Sequence, residues 1–259
     1  MPQIYRFFLK NTILDNLRSQ EIFELNEKNE PEIFYQLTKV LRVRVGDKIV
    51  LLNQAYNQPF FDNYFFADMI APKKLSLKFE KKIKNENELP FELGLVLSLP
   101  NKPDKLTFIL QKATELGVKK ITLVEADFSQ FRHSLNIERL KKILMEAAEQ
   151  SERAQIPFLD VQKKLKNYLL NVKTNEKSHL LVATSSFHSP QNAFKKAGNF
   201  SEYLKRGNLD VLIGPEGGFS PQEKEIIAQM QLPCFSLGKR ILRMETAVIL
   251  SLGLAVLSP

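Results

Sequence analysis

The chain has 259 residues, a formal net charge of +8 and a hydrophobic fraction of 44%, which is enough for two domains with ordinary cores. No apolar run reaches the roughly 18–20 residues of a membrane span, and we expect no secretory signal. A single cysteine, Cys234, excludes an internal disulfide, so we expect a cytoplasmic protein. The positive charge favours a polyanionic partner, with nucleic acid as the first candidate.

The first part of the chain is predicted to be rich in β-strands. Several short strands around one helix are typical of small barrels that bind RNA. The polar tract Lys84–Pro90 is the predicted linker, so we expect a barrel domain over residues 1–85 and a second domain over residues 91–259. The predicted strands are Ile4–Leu9, Asp47–Asn53, Phe60–Ile70 and Leu75–Ile83, and the predicted helix is Pro31–Val40.

From Phe91 onward, strand and helix patterns alternate. This alternation predicts an α/β domain with a parallel sheet covered by helices on both faces. Ligands in such domains lie beyond the carboxyl ends of the strands. The predicted strands are Leu93–Leu99, Ile121–Glu125, Leu180–Thr184, Leu209–Ile213 and Cys234–Leu237. The predicted helices are Asp104–Leu116, which Gly117 ends, Asn136–Glu152, and the apolar Ala247–Leu257, which we expect to be buried.

The segment Gly214–Glu223 joins a predicted strand to a predicted helix. Ser220 and Glu223 have the spacing of a capping box, and two adjacent glycines before them permit close backbone approach to a ligand. A phosphate-binding loop is disfavoured, because the Gly-Lys-Ser/Thr ending is missing and Pro215 lacks an amide. The alternatives are a ligand loop and a simple tight turn before a capped helix.

A second joint follows the strand Cys234–Leu237 and carries several charged residues. Charged groups at the start of a buried helix need partners or a polar cleft. An Arg243–Glu245 contact that only anchors the helix is the alternative to a ligand site. The three histidines, His133, His179 and His188, have no metal-ligand spacing, so we expect no metal site.

These two joints resemble the signature blocks of a known enzyme family. Residues 212–218 read Leu-Ile-Gly-Pro-Glu-Gly-Gly, and residues 237–247 read Leu-Gly-Lys-Arg-Ile-Leu-Arg-Met-Glu-Thr-Ala. The pattern is similar to that of the rRNA uridine-N3 methyltransferase family of the SPOUT superfamily. The resemblance departs at Met244, where the family usually has Thr. Further similar segments are Leu37–Val43, Leu110–Val118 and Ala147–Arg153, so the resemblance runs nearly end to end.

The resemblance implies a fold and a set of partners. It implies a C-terminal α/β domain of SPOUT type with a deep trefoil knot, and a small N-terminal PUA-like β-barrel. It also implies S-adenosylmethionine as methyl donor without a metal, a homodimer, and 16S rRNA or the small ribosomal subunit as substrate, with no membrane partner. The cofactor-binding residues that it implies are Thr184, Gly214, Glu216, Gly217, Leu237, Gly238, Ile241 and Leu242.

The chemistry of the implied reaction suggests further residues. Uracil N3 carries a proton and lies on the Watson–Crick edge, so the base must be unpaired and the departing proton leaves negative charge on its oxygens. The predicted catalytic residues are Arg153, Arg243, Glu245 and Thr246, and the predicted RNA-binding residues are Lys39, Arg42, Arg44 and Arg132. Two alternatives stay open: methylation of another RNA base or ribose, and a non-catalytic rRNA-binding assembly factor.

Overall fold

The computed structural model describes residues 4–11, 13–14, 17–54, 60–162, 164–172, 178–184, 194–196, 203 and 208–258. The chain divides into two compact units. Unit 1 consists of Met1–Glu88 and Ala148–Ile156, and unit 2 consists of Leu89–Ala147 and Pro157–Pro259. Within the described ranges, no helix is long and apolar enough to cross a membrane.

Unit 1 contains a five-stranded mixed sheet in the order β1-β3-β4-β5-β2. The first pair, β1 and β3, is parallel, and the other pairs are antiparallel. A short helix α1, Pro31–Tyr35, continues into a π-helical turn at Gln36–Val40. The strands are β1 Ile4–Leu9, β2 Ile22–Asn26, β3 Lys48–Asn53, β4 Phe61–Ala71 and β5 Lys74–Lys84.

Alternation along the strands of unit 1 builds its core. Successive strand residues point to opposite faces, so Leu51, Phe65 and Leu77 all enter one buried cluster. The Phe65 ring lies edge-on to Phe79, with ring centroids 5.4 Å apart. Strand β2 was not predicted, because only Leu25 of its five residues is fully buried and its pattern is correspondingly weak.

Unit 2 contains a seven-stranded sheet in the order β10-β12-β9-β11-β6-β7-β8. Every strand pair in it is parallel, which confirms the predicted α/β class. The strands are β6 Leu93–Ser98, β7 Lys120–Val124, β8 Phe158–Val161, β9 Ser178–Ala183, β10 Phe194–Lys196, β11 Asn208–Ile213 and β12 Cys234–Ser236. The helices are α2 Pro103–Glu115, α3 Ile137–Gln150, α4 Leu165–Asn171, α5 Pro221–Gln229 and α6 Met244–Val256. The end of α3, from Ala148 onward, belongs to unit 1.

Helices cover both faces of this sheet. All six residues of β6 are buried, although neighbouring residues of a strand point to opposite sides. Val96 of β6 packs in a cluster with residues of α4 and α5, while α2 packs against α6 and α6 against β11. The expectation that the last apolar helix is buried is confirmed only in part, since Val248, Leu252 and Ala255 are buried. In α6, Leu250 remains 44% exposed, because only one side of the helix packs on its neighbours.

The strand order brings distant loops together. Strand β11 lies between β6 and β9, and β9 lies between β11 and β12. Because these strands are parallel, their carboxyl ends meet at one edge of the sheet. The loops that follow β9, β11 and β12 are therefore neighbours, although their residues are separated by dozens of positions in the sequence.

Candidate functional site

A cleft of about 510 Å³ lies beyond the carboxyl edge of the unit 2 sheet. This volume falls in the range of roughly 300–1,000 Å³ that is usual for small-molecule sites. Its walls come from the loops after β7, β9, β11 and β12 and from the starts of α5 and α6. The position agrees with the general rule for ligands in open parallel sheets.

The loop after β11 requires glycine at two positions that face other side chains. A Cβ at Gly214 would lie 2.9 Å from the Phe219 ring, and a Cβ at Gly217 would lie 3.0 Å from the Cβ of Phe128. Gly218 adopts a φ of +74°, which favours glycine on steric grounds. The loop therefore presents mainly backbone to the cleft.

The start of α5 is fixed by a buried carboxylate. The fully buried Glu223 accepts hydrogen bonds from the amide of Ser220 (2.8 Å) and from the amide of Asp127 (2.8 Å). The Ser220 hydroxyl accepts from the Glu223 amide, which completes the predicted capping box. The same hydroxyl donates to Asp127 Oδ2 at 2.6 Å. Together with the Lys166 ammonium, it holds the pKa of Asp127 below its ordinary value.

This network also places an aromatic ring. Asp127 belongs to the loop after β7, and the next residue, Phe128, lines the cleft beside Gly217. Glu223 thus fixes two walls, the loop before α5 and the loop that carries Phe128.

We expect Glu223→Ala to lower the free energy of unfolding by about 2–4 kcal/mol, because it leaves two amides without acceptors and removes a buried side chain. Urea denaturation measures the change. The matched control is Glu225→Ala on the same helix, since Glu225 is exposed and, among the described residues, accepts a hydrogen bond from Gln229 at the surface. We expect the control to change stability by less than about 0.5 kcal/mol. Equal effects of the two substitutions would contradict the role given to Glu223.

The loop after β12 forms an apolar wall. Gly238 has a φ of +111°. The Ser236 hydroxyl accepts a hydrogen bond from the Gly238 amide and donates one to the Gly238 carbonyl. The same wall of the cleft includes Leu237, Ile241 and Leu242. Ile241 is 84% exposed, so this wall has apolar surface free to cover a ligand.

The structure brings together every residue predicted to bind the cofactor. The loop after β9 contributes one of them, the loop after β11 three, and the loop after β12 four. All eight line the same cleft: Thr184, Gly214, Glu216, Gly217, Leu237, Gly238, Ile241 and Leu242.

Comparisons with known proteins identify the family. A family model described as an RNA methyltransferase domain matches residues 87–256. The ribosomal RNA small subunit methyltransferase E of Rickettsia conorii is 30% identical over 249 residues, which cover 94% of this chain and 93% of the relative. The chain belongs to this family.

A second relative and one solved structure are also similar to this chain. The enzyme of the same name from Buchnera aphidicola is 30% identical, over 97% of this chain and 91% of its own length. The crystal structure of the Neisseria gonorrhoeae protein of that name, bound to S-adenosyl methionine, has a TM-score of 0.76 at 24% identity. The match covers 97% of this chain and 96% of the Neisseria chain, so this RNA methyltransferase shares that protein's fold.

Three of the predicted catalytic residues lie at the start of α6. Arg243 precedes the helix and is exposed, as is Thr246, whereas Glu245 is partly buried. Among the described residues, the cleft lining includes their neighbours Met244 and Ala247 but not these three. The acidic group is paired with Lys105 rather than with Arg243, since its Oε2 lies 4.0 Å from the Lys105 ammonium.

Arg153, the fourth predicted catalytic residue, lies in unit 1. Its guanidinium forms an ion pair with Glu88 at 2.7 Å, and both side chains are only 3% exposed. Glu88 also accepts from the amides of Ala154 and Gln155. These contacts give Arg153 a structural role in unit 1, and a role in catalysis stays a prediction.

The predicted RNA-binding residues lie in both units. Lys39, Arg42 and Arg44 are exposed in and after the π-helical turn of unit 1. Arg132 is exposed in the loop between β7 and α3 of unit 2. All four are accessible to a phosphate backbone.

Several residues of the cleft lining were not predicted as site residues, and three of them have large side chains that are aromatic or charged. Phe128, Lys224 and Arg240 line the cleft. Arg240 belongs to the second signature block, so its position was a usable signal. Phe128 and Lys224 carry no comparable signal, because their nearness depends on strand order and on the capping network. Within the described ranges, no cluster of His, Cys, Asp and Glu is suited to a metal ion.

Proposed function

We propose that this chain transfers a methyl group from S-adenosylmethionine to N3 of a specific uridine in 16S rRNA of the small subunit. The observation that carries the proposal is the single cleft formed by all eight predicted cofactor residues. The names of the relatives and the cofactor in the Neisseria gonorrhoeae crystal structure support the same reaction.

The cleft residues fit S-adenosylmethionine. Glycine backbones at Gly214 and Gly217 leave no room for further side chains and offer amides and carbonyls to a polar ligand. The apolar side chains of Leu237, Ile241 and Leu242 suit the faces of an adenine ring. When bound, S-adenosylmethionine supplies an electrophilic methyl group on a sulfonium.

The residues at the start of α6 suit the uracil. Loss of the N3 proton leaves negative charge on the two carbonyl oxygens of the base, and a positioned guanidinium stabilises such charge. Arg243, at the helix start, and Arg240, in the cleft wall, supply that positive charge. Thr246 offers a hydroxyl to the base edge. The partly buried Glu245 faces Lys105, and we assign it to positioning.

The fold details that the resemblance implies belong to this proposal. A trefoil knot in unit 2 accounts for a cofactor cleft built from the three loops after β9, β11 and β12. A PUA-like fold for unit 1, spanning most of residues 1–85, accords with a mixed five-stranded sheet and one short helix. Phosphates of rRNA would contact the exposed Lys39, Arg42 and Arg44 of unit 1. They would also contact Arg132 in the methyltransferase domain, residues 91–259. The cytoplasm is the compartment in which such a substrate is found.

A homodimer is also part of the proposal, and α6 supplies its apolar surface. Leu250 and Leu257 of this region are 44% and 82% exposed, and Phe108 of the neighbouring α2 is 41% exposed. A self-complementary apolar patch on helices is typical of twofold interfaces.

We expect Leu250→Lys to convert the dimer to a monomer, because it places a charge in that interface. Light scattering after size-exclusion chromatography measures the mass. The matched control is Leu170→Lys, since Leu170 is an exposed leucine on α4 and is expected to leave the mass unchanged. A wild-type protein that runs as a monomer at micromolar concentration would overturn the dimer.

Titration calorimetry with S-adenosylmethionine tests the proposed cofactor. We expect one site per chain with micromolar or tighter affinity. A protein that binds small-subunit rRNA but no S-adenosylmethionine would instead be an assembly factor. Methylation of another base or of a ribose hydroxyl would retain the cofactor site and replace only the substrate part of the proposal.

A further inference from the structure

One lysine outside the cleft lining contacts acidic groups from two of its walls. Lys105, near the start of α2, places its ammonium 2.6 Å from Glu216 Oε1 and 4.0 Å from Glu245 Oε2. Glu216 belongs to the loop after β11, and Glu245 to the first turn of α6. The three side chains are 22%, 30% and 22% exposed, so solvent screens their interaction only in part.

Glu216 is held from two directions. Besides the Lys105 ammonium, the amide of Asn101 donates to Glu216 Oε1 at 3.2 Å. Burial on its own raises the pKa of Glu216, but the hydrogen bonds from Lys105 and from backbone amides outweigh it, so the pKa lies below its ordinary value. The carboxylate is therefore charged at neutral pH and is fixed in place.

Glu245 depends on the same ammonium. Among the residues that the structure describes, no hydrogen-bond donor reaches its buried Oε2, and the Lys105 ammonium is its ion-pair partner. Removal of that ammonium would leave both carboxylates without the cation that they share. Like charges in a partly buried site repel strongly.

We infer that Lys105 is a positioning residue of the cleft. Through Glu216 and Glu245, its ammonium holds the loop after β11 and the start of α6 at a fixed separation. The inference rests on the proposed function only in using S-adenosylmethionine as the probe. Glu216 lines the cleft, and so do Met244 and Ala247 on either side of Glu245 and Thr246. A change in the separation of the two carboxylates therefore changes the shape of the cofactor cleft.

Lys105→Met tests the inference, because methionine keeps the apolar stem and the helix propensity but removes the charge. We expect the affinity for S-adenosylmethionine at pH 7.5 to fall about tenfold. The loss of a partly buried ion pair should cost more than that of an exposed pair and less than that of a fully buried pair. Lys105→Arg should restore most of the affinity. The matched control is Lys112→Met, since Lys112 lies on the same helix and pairs with Glu115 at the surface; it should bind like wild type.

A pH profile separates positioning from general damage. Among the described residues, Lys105 on α2 forms the ion pair with Glu216, and the same ammonium lies 4.0 Å from Glu245 on α6. Lys224 on α5 and Arg240 in the loop after β12 line the same cleft as Glu216, and residues 214–220 contain no other titratable side chain. Without Lys105, the pKa of Glu216 rises, because burial then acts without the opposing ammonium, so a fall in pH protonates more of this carboxylate in the variant than in wild type and weakens the repulsion. We therefore expect the affinity of Lys105→Met to recover toward wild type at pH 5.5, while the wild-type affinity stays flat.

Hydrogen exchange on the cofactor-free protein gives a second measurement. We expect Lys105→Met, but not Lys112→Met, to increase amide exchange in both residues 214–219 and residues 244–248. Wild-type affinity in Lys105→Met, a loss that is independent of pH, or unchanged exchange in these segments would overturn the inference. If the wild-type protein binds no S-adenosylmethionine, the proposed function fails, and hydrogen exchange still decides the role of Lys105.

Discussion

Gly217→Val is expected to weaken S-adenosylmethionine binding by about 100-fold, because overpacking a tight site costs about 1–3 kcal/mol. The first added atom would already lie 3.0 Å from the Cβ of Phe128. Neither loop can move away easily, because the loop before α5 and the loop carrying Phe128 both donate backbone hydrogen bonds to the buried carboxylate of Glu223. The two γ-methyl groups of valine would then extend into the space that the ligand needs. Titration calorimetry measures the loss.

A graded series checks that the effect comes from the close approach at Gly217. Gly217→Ala adds only the Cβ and should have an intermediate effect. Phe128→Gly combined with Gly217→Val removes the opposing Cβ and should recover part of the affinity. Circular dichroism and thermal unfolding establish that each variant is folded. A folded Gly217→Val protein with wild-type affinity would place the cofactor elsewhere.

Arg153→Met is expected to lower the free energy of unfolding by about 3–5 kcal/mol, because breaking a buried ion pair leaves an uncompensated charge. The partner, Glu88, is only 3% exposed. The two amides that it also accepts cannot replace the positive charge of the guanidinium. Urea denaturation measures the change, and the loss should appear in the stability of unit 1.

Arg139→Met is the matched control for this substitution. Arg139 is exposed on α3, and the same chemical change there should alter stability by less than about 0.5 kcal/mol. A methyl-transfer assay of Arg153→Met separates a structural role of Arg153 from a catalytic one. A variant that keeps wild-type stability but loses methyl transfer would show that Arg153 acts on the substrate, contrary to its structural placement.

Much of the fold follows from local sequence patterns. Strand β6 is a largely apolar run, the apolar residues of β11 are interrupted by Asp210, and Gly117 marks the end of α2 where it adopts a φ of +84°. Strand β8 was not predicted, because its four residues, Phe158–Val161, are half-exposed and too short to show a period. The apolar pattern of α6 predicted burial, which is only partial, since hydropathy alone does not specify which side of a helix packs on its neighbours.

The cofactor residues were predictable only through the resemblance, which indicated that they bind one ligand.

Contacts between residues far apart in the sequence could not be predicted from local patterns. Arg153 and Glu88 are 65 positions apart, and Lys105 reaches Glu216 across 111 positions. Nothing in the local pattern around Lys105 distinguishes it from the other lysines of α2. These pairings depend on strand order, which local propensity does not specify.

The most direct test of the proposed function is mass-spectrometric mapping of methyl groups on unmodified small-subunit rRNA, free or in assembled subunits, after incubation with this protein and S-adenosylmethionine. We expect one added methyl group on N3 of a single uridine with the wild-type protein, and much less methylation with Gly217→Val at a limiting concentration of S-adenosylmethionine. Methylation of another base or of a ribose, or no methylation by wild-type protein on either substrate, would contradict it.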